Sequence, residues 1–191
     1  MNSRFWMIGM LLIMAVVCST ALALVNIVTS PIIEKNNEIK YMSTVLDVFG
    51  VEYNSDDSDA VIVKYKDAIT ESETDGISLF TEKASGSSAT SISGSGFQGP
   101  ITVIVALDGD EISGFKVVSQ VETPGLGARI TEDGFQQSFV GKKVAGGIKM
   151  SRTGNAGISE FDAITGATET SKSLESLLNK GFASYFEKIR D

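Results

Sequence analysis

Hydrophobic and polar positions divide the chain into an apolar first segment and a mixed remainder. Residues 5–25 form a run of 21 apolar or small residues without a charge. A helix of that length, at about 1.5 Å per residue, spans a hydrocarbon core of roughly 30 Å. This pattern predicts a transmembrane anchor with a short tail over residues 1–30 and a separate domain over residues 31–191.

Helical periodicity of apolar residues recurs at three places in the second domain. One helix is predicted over residues 31–49, with Gly50 just beyond its C-terminus. A short helix is predicted near residues 131–139, where Phe135 and Phe139 lie one turn apart. A third helix, of about twenty residues, is predicted at the end of the chain. Its apolar stripe consists of Leu174, Leu177, Leu178, Phe182, Tyr185, Phe186 and Ile189.

The clearest strand signal is a hairpin in the middle of the chain. Residues 101–107 and 111–118 are rich in β-branched side chains, and an Asp-Gly-Asp turn separates them. Asp-Gly between two such runs is typical of a tight hairpin turn. Two shorter strands are predicted within residues 147–163, around a loop that contains Gly and Asn.

The region before the hairpin mixes acidic, β-branched and Ser-rich stretches. We predict an acidic loop over residues 51–59, strands over 60–66 and 77–83, and a flexible loop over 84–99 because of its Ser and Gly content. With the helices, these strands predict an α+β fold. One N-terminal transmembrane helix is followed by an antiparallel sheet flanked by helices.

Residues 94–99 spell G-x-G-x-x-G, the letters of a dinucleotide-binding fingerprint. That fingerprint needs a strand before it and a helix that begins within it, because the pyrophosphate binds at the helix N-terminus. Here a Ser-rich stretch precedes the motif, and Pro100 and a β-rich run follow it. We therefore interpret the segment as a loop that enters a strand.

The charge and composition exclude several classes of protein. The net charge is −8, and Arg4 is the one charged residue among the first thirty. The chain therefore lacks the clustered basic residues that bind nucleic acid. It has no histidine, and its lone cysteine, Cys18, lies in the apolar segment. Without these residues it can form no Cys/His metal site, internal disulfide or Ser-His-Asp triad, so redox chemistry would need an organic cofactor.

The apolar segment has an alternative interpretation. The small residues at 21–23 (Ala-Leu-Ala) resemble the cleavage site of a signal peptide. Apolar residues continue through Val28, however, which favours a retained anchor. Arg4 lies on the short side of the segment and indicates a cytoplasmic N-terminus with the following domain exported.

Residues 162–171, with the sequence DAITGATETS, lead from an apolar stretch through a Gly turn into the C-terminal helix. The first backbone N–H groups of a helix, together with its dipole, attract phosphate. Two interpretations stay open on physical grounds. Thr168, Thr170 or Ser171 caps the helix with Gly166 in the turn, or this N-terminus binds a phosphate group.

The same stretch resembles the D-x-x-[ST]-G-A-T signature of a family of FMN-binding domains. This family includes the G subunit of Rnf complexes and the C subunit of Na⁺-translocating NADH:quinone reductases. The resemblance implies that FMN is joined to Thr168 through a phosphoester bond. It also implies a separate flavin transferase that uses FAD and magnesium and recognises Asp162, Thr165, Gly166 and Ala167.

Two further stretches resemble motifs of this family. Residues 122–127 are similar to its E-T-P-G-L-G loop, which lies against the flavin ring. An ordinary Pro-Gly surface turn is the alternative, and in either case the proline and glycines give a tight turn. Residues 96–101 are similar to its Gly-aromatic-x-Gly entry into a strand, whereas Gln120 stands where the family often has a histidine. The additional flavin-binding residues that the resemblance implies are Glu122, Thr123, Pro124, Gly125, Leu126, Gly127, Gly96, Phe97 and Gly99.

The resemblance implies an electron carrier rather than a stand-alone enzyme, with no catalytic residue and no metal ligand of its own. The expected partners are other integral-membrane subunits of a redox-driven ion pump, the flavin transferase, and lipid around the anchor, with no nucleic acid. The expected location is the plasma or inner membrane, with the domain on the extracytoplasmic side. The length of 191 residues favours the Rnf G type over the Nqr C type.

An alternative from another class is a membrane-tethered binding or scaffolding module that has the same fold without covalent flavin. Such a module would not need the acceptor hydroxyl, so the presence of Thr168 argues against it. An independent flavin reductase would need a nicotinamide site, for which the sequence offers no motif.

Overall fold

The computed structural model describes residues 2–74 and 76–189. The chain divides into two compact units, one up to Ile39 and one from Lys40 onward. The side chains of Arg4 and Ile189, which entered the predictions above, lie outside the described part.

The first helix, α1, is continuous over Asn2–Phe49 and contains Pro31 in its interior. The expectation that a separate helix begins at residue 31 is therefore wrong. A proline inside a helix removes one backbone hydrogen bond and costs about 3 kcal/mol, which the long helical stretches on both sides tolerate. Residues 5–49 of α1 are long and apolar enough to cross a membrane, as the charge-free run predicted.

The C-terminus of α1 belongs to the second unit and is packed into it. Val45 and Leu46 are fully buried, and Tyr41 contacts Phe80 edge to face at 5.9 Å. The helix ends as predicted, because Gly50 follows with a φ of 68°, in the left-handed region that glycine adopts without strain.

The predicted strand over residues 60–66 is wrong, because these residues lie in helix α2, Ser58–Ala68. The carboxylate of Asp57 caps this helix and accepts the backbone amides of Asp59 and Ala60 at 2.9 and 3.3 Å. Val61 and Tyr65, one turn apart, are its buried residues. The β-branched composition suggested a strand. The cap at Asp57 and the burial of two residues one helical turn apart favour a helix instead.

A five-stranded antiparallel sheet forms the centre of the second unit. The strands follow one another in chain order: β1 Ile69–Thr74, β2 Ile77–Glu82, β3 Ser88–Ser95, β4 Pro100–Asp108 and β5 Glu111–Ser119. The predicted strand at 77–83 and the central hairpin are confirmed, with Gly109 at a φ of 63° in its turn. The α+β fold class is confirmed as well.

The predicted flexible loop over residues 84–99 is wrong, since half of it is β3, the middle strand of the sheet. Its small residues reflect the close approach of the C-terminal helix. A Cβ at Gly94 would lie 3.2 Å from Leu177, and one at Gly181 would lie 2.4 Å from Ile92. Gly94 therefore suits this strand because of packing, although a stretch rich in Ser and Gly is typical of loops.

The remaining elements lie between the sheet and the C-terminus. They are a 3₁₀ helix at Gly127–Thr131, α3 at Asp133–Gln137, β6 at Lys149–Ser151, β7 at Glu160–Asp162 and α4 at Thr168–Ile189. The predicted short helix, the two short strands and the long last helix are thereby confirmed. β6 and β7 pair with each other in parallel.

The core lies between one face of the sheet and α4. Phe139 is fully buried and stacks on Phe115 at a centroid distance of 4.2 Å, with Phe161 at 5.1 Å. The helix side of this cluster consists of the described residues of the predicted stripe, Leu174, Leu177, Leu178, Phe182, Tyr185 and Phe186. Burying each such side chain contributes about 1.5–3 kcal/mol, so the packing positions the start of α4 firmly against the strands.

Candidate functional site

Three segments that are distant in sequence meet at the N-terminus of α4. They are the turn of residues 96–99 between β3 and β4, the loop of residues 122–127 after β5, and the turn of residues 164–167 before α4. Between them lies an open groove of about 280 Å³. Its walls consist of Phe97, Thr123, Leu126, Gly127, Gly166, Ala167, Thr168, Glu169 and Thr170.

The turn before α4 is fixed by a buried hydroxyl. Gly166 adopts a φ of 82°, and the amide of Ala167 donates to the carbonyl of Ile164 at 2.9 Å. The Ser171 side chain is fully buried. Its Oγ accepts the Ile164 amide at 3.1 Å and donates to the Ala167 carbonyl at 3.0 Å. The glycine turn and this serine together present Thr168 to the groove.

The hydroxyls near the helix start have different environments. Those of Thr170 and Ser171 are buried and hydrogen-bonded, Thr170 to the carboxylate of Glu122 at 2.7 Å. Thr168 is half-buried on the groove wall, and its hydroxyl makes no hydrogen bond to the described part of the chain. Thr165 is exposed and is not part of the wall.

The backbone amides of the first turn of α4 have no hydrogen-bond acceptor in the described part of the chain either. Within the described residues, the first helical amide that bonds to the preceding backbone is that of Ser171, which donates to Ala167 at 3.0 Å. The amides of Thr168, Glu169 and Thr170 are left available, as expected for the first turn of a helix. This end of α4 therefore combines free N–H groups, the positive end of the helix dipole and a free hydroxyl.

The loop of residues 122–127 is shaped by two glycines with different roles. Gly125 has a φ of 74° and open space around it, so it serves the turn. Gly127 has ordinary φ, but a Cβ there would lie 2.5 Å from the Oγ of Thr170. Thr123 and Leu126 are exposed on the groove side, and Pro124 lies exposed in the turn between them.

The turn of residues 96–99 is closed by a 2.7 Å hydrogen bond from the Gly96 amide to the Gly99 carbonyl. It leads from β3 directly into β4, without a helix, so the rejection of the dinucleotide fingerprint is confirmed. Phe97 is 57% exposed at the mouth of the groove. Gly99 lies outside the wall, where a Cβ would lie 2.2 Å from Val121.

Glu122 and Asp162 are in the predicted set but do not line the groove. Glu122 is 4% exposed, and its amide donates to the side-chain oxygen of Gln120 at 2.6 Å. Asp162 ends β7, and its Oδ1 is buried without a hydrogen-bond partner in the described chain. Sequence reasoning missed Glu169 and Thr170 as wall residues, although their place in the first turn of the helix was a usable signal.

This geometry fits a phosphate-bearing aromatic cofactor. The groove wall combines free amides and a free hydroxyl with the exposed apolar side chains of Phe97 and Leu126. Cofactor sites commonly combine an apolar wall with a few polar groups that fix orientation.

Residues 96–183 match the family model described as the FMN-binding domain. The resemblance of the motifs to the family of FMN-binding domains is thereby confirmed for this stretch, which includes all three motifs.

Similar proteins belong to membrane redox complexes. One is the G subunit of the ion-translocating oxidoreductase complex of Methanosarcina acetivorans, 42% identical over 44% of this chain and 43% of that protein. Another is the C subunit of the Na⁺-translocating NADH-quinone reductase of Vibrio anguillarum, 35% identical over 47% and 40%. The matches thus span about two fifths of the length of these curated relatives.

A solved structure supports the same fold over most of the chain. The C subunit of the Na⁺-translocating NADH-quinone reductase of Parabacteroides distasonis superimposes with a TM-score of 0.68 at 25% identity. The superposition covers 81% of this chain and 94% of that one.

Proposed function

We propose that this chain is the FMN-carrying, electron-transfer component of a membrane oxidoreductase complex that moves ions, of the Rnf G type. The observation that carries the proposal is the free hydroxyl of Thr168, on the groove at the start of α4 and inside the segment that matches the FMN-binding domain. One relative of the G type is 42% identical to this chain, and other relatives of both types are 34–35% identical to it. The Nqr C type is the alternative.

In this proposal Thr168 forms a phosphoester with FMN. A flavin transferase using magnesium supplies the FMN phosphoryl group from FAD. The bond from Thr168 Oγ to phosphorus forms, the pyrophosphate bond of FAD breaks, AMP leaves, and the hydroxyl proton passes to solvent. The free amides of Glu169 and Thr170 and the dipole of α4 favour the negative charge of the ester. Asp162, Thr165, Gly166 and Ala167 would be what the transferase recognises.

The chain's remaining task is to orient the flavin ring. Phe97 and Leu126 offer exposed apolar side chains on the groove wall, and Gly127 lets the loop approach α4 closely. A bound flavin accepts one or two electrons, and the protein around it needs only to bind, orient and tune it. This agrees with a groove whose polar groups are amides and hydroxyls.

The membrane association follows from α1, and the side of the membrane is part of the proposal. Arg4 on the short side of the apolar run supports a cytoplasmic N-terminus and a flavin domain outside. Other integral-membrane subunits would donate and accept the electrons. A covalent tether would keep the cofactor bound where no pool of FMN replaces it.

The decisive experiment is expression of the full chain with a flavin transferase, for wild type, Thr168→Val and the control Thr165→Ser. Valine keeps the β-branched shape of Thr168 and removes only the hydroxyl, whereas serine is the other residue that the signature allows at position 165. Wild type and Thr165→Ser should gain the mass of FMN less one water and should fluoresce in a denaturing gel. Thr168→Val should show neither change, with a loss of stability of at most ~1 kcal/mol.

Two results would contradict the proposal. Fluorescence that persists in Thr168→Val would place the attachment elsewhere. Absence of any mass increase in wild type, with an active transferase present, would favour the membrane-tethered binding module without covalent flavin.

A further inference from the structure

The carboxylate of Glu122 accepts hydrogen bonds from two of the three segments that form the groove. Its Oε1 accepts the backbone amides of Phe97 and Gln98 at 2.7 and 3.0 Å. Its Oε2 accepts the hydroxyl of Thr170, in the first turn of α4, at 2.7 Å. The backbone of Glu122 itself opens the third segment, the loop of residues 122–127.

The backbone of two neighbouring segments packs closely around this carboxylate. A Cβ at Gly96 would lie 2.4 Å from its Oε1, and a Cβ at Gly127 would lie 2.8 Å from its Oε2. The side chain is almost completely buried, and no cation forms an ion pair with it in the described part of the chain. An ionised carboxylate in such a place is stabilised by the hydrogen bonds that it accepts.

We propose that Glu122 is a positioning residue, which holds the three segments in the shape that accepts flavin, without itself contacting the ring. This inference rests on the proposed function. It differs from the expectation for the loop as a whole, because the Glu122 side chain lies behind the groove wall rather than on it. The bonds to Phe97 and Gln98 fix the aromatic edge of the groove, and the bond to Thr170 fixes the turn that presents Thr168.

The chemistry of the three donors explains why a carboxylate suits this position. Two donors are amides that can only donate, whereas the Thr170 hydroxyl can donate or accept. In Glu122→Gln the remaining carbonyl oxygen can still accept both amides, and the new NH₂ group can donate to Thr170. In Glu122→Ala all three bonds are lost and two partly buried amides have no partner. Glu122→Gln therefore removes only the negative charge, whereas Glu122→Ala also removes the three hydrogen bonds.

The first test measures hydrogen exchange of the full-length chain in detergent, without flavin, by mass spectrometry of peptides. In Glu122→Ala, the peptides covering residues 94–100 and 164–172 should both exchange about tenfold faster or more, while residues 144–149 are unchanged. Asn179→Ala is the matched control, because this side chain makes two bonds to the backbone of Ile148, at 2.7 and 2.9 Å. It should loosen residues 144–149 and leave the groove segments as they are.

Two further variants keep the test informative should Glu122→Ala fold poorly. Thr170→Val breaks only the bond to Oε2. It should speed exchange in residues 164–172 and leave residues 94–100 protected. Glu122→Gln should keep both segments protected. Unchanged exchange at both segments in Glu122→Ala, or equal loosening by Asn179→Ala, would overturn the proposal.

The second test measures the rate of covalent flavin incorporation by a transferase, at a temperature where all variants are folded. Glu122→Ala should be slowed about tenfold or more, because a small misplacement of a reacting group has a large effect on rate. Asn179→Ala and Glu122→Gln should stay within about threefold of wild type. Wild-type incorporation by Glu122→Ala with loosened segments would refute the positioning role and leave the proposed function standing. No incorporation in wild type would refute the proposed function, while joint loosening would still support Glu122 as the link.

Discussion

At the scale of single residues, the site depends on which polar atoms are already engaged. Four hydroxyl residues lie close together in sequence, and only the tertiary contacts distinguish them. Ser171 ties the turn to the helix and Thr170 binds Glu122, so neither is available to a ligand. Thr168 lies on the groove with a free hydroxyl. Neither the Thr170 hydroxyl nor the Ser171 hydroxyl accepts an amide of the first turn of α4, so they do not act as the predicted helix cap, and phosphate binding at Thr168 stays a prediction.

The two glycines of the 122–127 loop should respond differently to alanine. Gly127→Ala places a methyl group 2.5 Å from Thr170 Oγ1 and 2.8 Å from Glu122 Oε2, so the loop must move away from α4. It should reduce both stability and flavin incorporation. Gly125→Ala meets nothing within 4 Å and only strains a φ of 74°, at about 1 kcal/mol. Thermal unfolding and in-gel flavin fluorescence check both, and equal loss of flavin in both variants would contradict this assignment.

At the scale of elements, the contact of α4 with β3 positions the site. The helix lies so close to the strand that glycine is needed on both, at Gly94 and Gly181. The fully buried residues Leu174 and Leu178 fix the helix on the sheet. Because α4 begins at Thr168, any shift of the helix displaces the proposed attachment point relative to the other two segments.

Gly181→Ala tests this contact directly. The added methyl would lie 2.4 Å from Ile92, and overpacking of this kind costs about 1–3 kcal/mol of unfolding free energy. Gly134→Ala in α3 is the opposite control, since it meets nothing within 4 Å and should be neutral or stabilising by up to about 1 kcal/mol. Urea unfolding measures both. Ile92→Ala combined with Gly181→Ala should recover part of the loss, and a lack of coupling between the two changes would contradict the packing argument.

At the scale of the whole molecule, an apolar first helix is joined to an acidic α+β domain. Charge is almost absent from the first thirty residues, whereas the chain as a whole carries a net charge of −8. Electrostatic attraction to nucleic acid or to an anionic lipid surface is therefore not a source of binding.

The topology predicts which part of the chain a protease can reach. Residues 5–25 should remain in the mature protein, and the domain should be digested when protease is added to intact cells after any outer membrane is opened. The charge-free run and the position of Arg4 are the reasons. Protection of the domain would reverse the topology, and a mature N-terminus near residue 24 would reveal a cleaved signal peptide.

The stability of the folded domain should fall at alkaline pH. Burial raises the pKa of Tyr65 above its ordinary value of 10.0, and the nearby charge of Glu71 raises this pKa further. A raised pKa in the folded state means that the folded chain binds the proton more tightly. The contribution is therefore complete below about pH 10 and is lost as the pH rises above it. The free energy of unfolding should fall less steeply above pH 10 in Tyr65→Phe, and an identical slope would contradict this assignment.

Much of the fold could be predicted from the sequence because its signals are local. The charge-free run, the Asp-Gly hairpin and the apolar stripe from Leu174 each depend on neighbours within a few turns or one strand pair. The two errors in the sheet region arose where local composition was misleading. Residues 60–66 combine strand-like composition with a helical cap at Asp57, and β3 has the Ser and Gly content of a loop although α4 packs closely on its Gly94.

For the site, the sequence by itself determined the resemblance to FMN-binding domains, the three motifs and the residue proposed to carry FMN. A short motif at the start of a helix can be recognised without knowledge of the fold. Only the tertiary structure decided that Glu122 lies behind the groove, that Thr170 is bound to it across 48 positions of sequence, and that Thr168 remains free. The physical reason is that whether a polar atom has a hydrogen-bond partner depends on which atoms lie near it in the folded chain. Which of several equivalent hydroxyls is left without a partner depends on segments that meet only after the chain has folded.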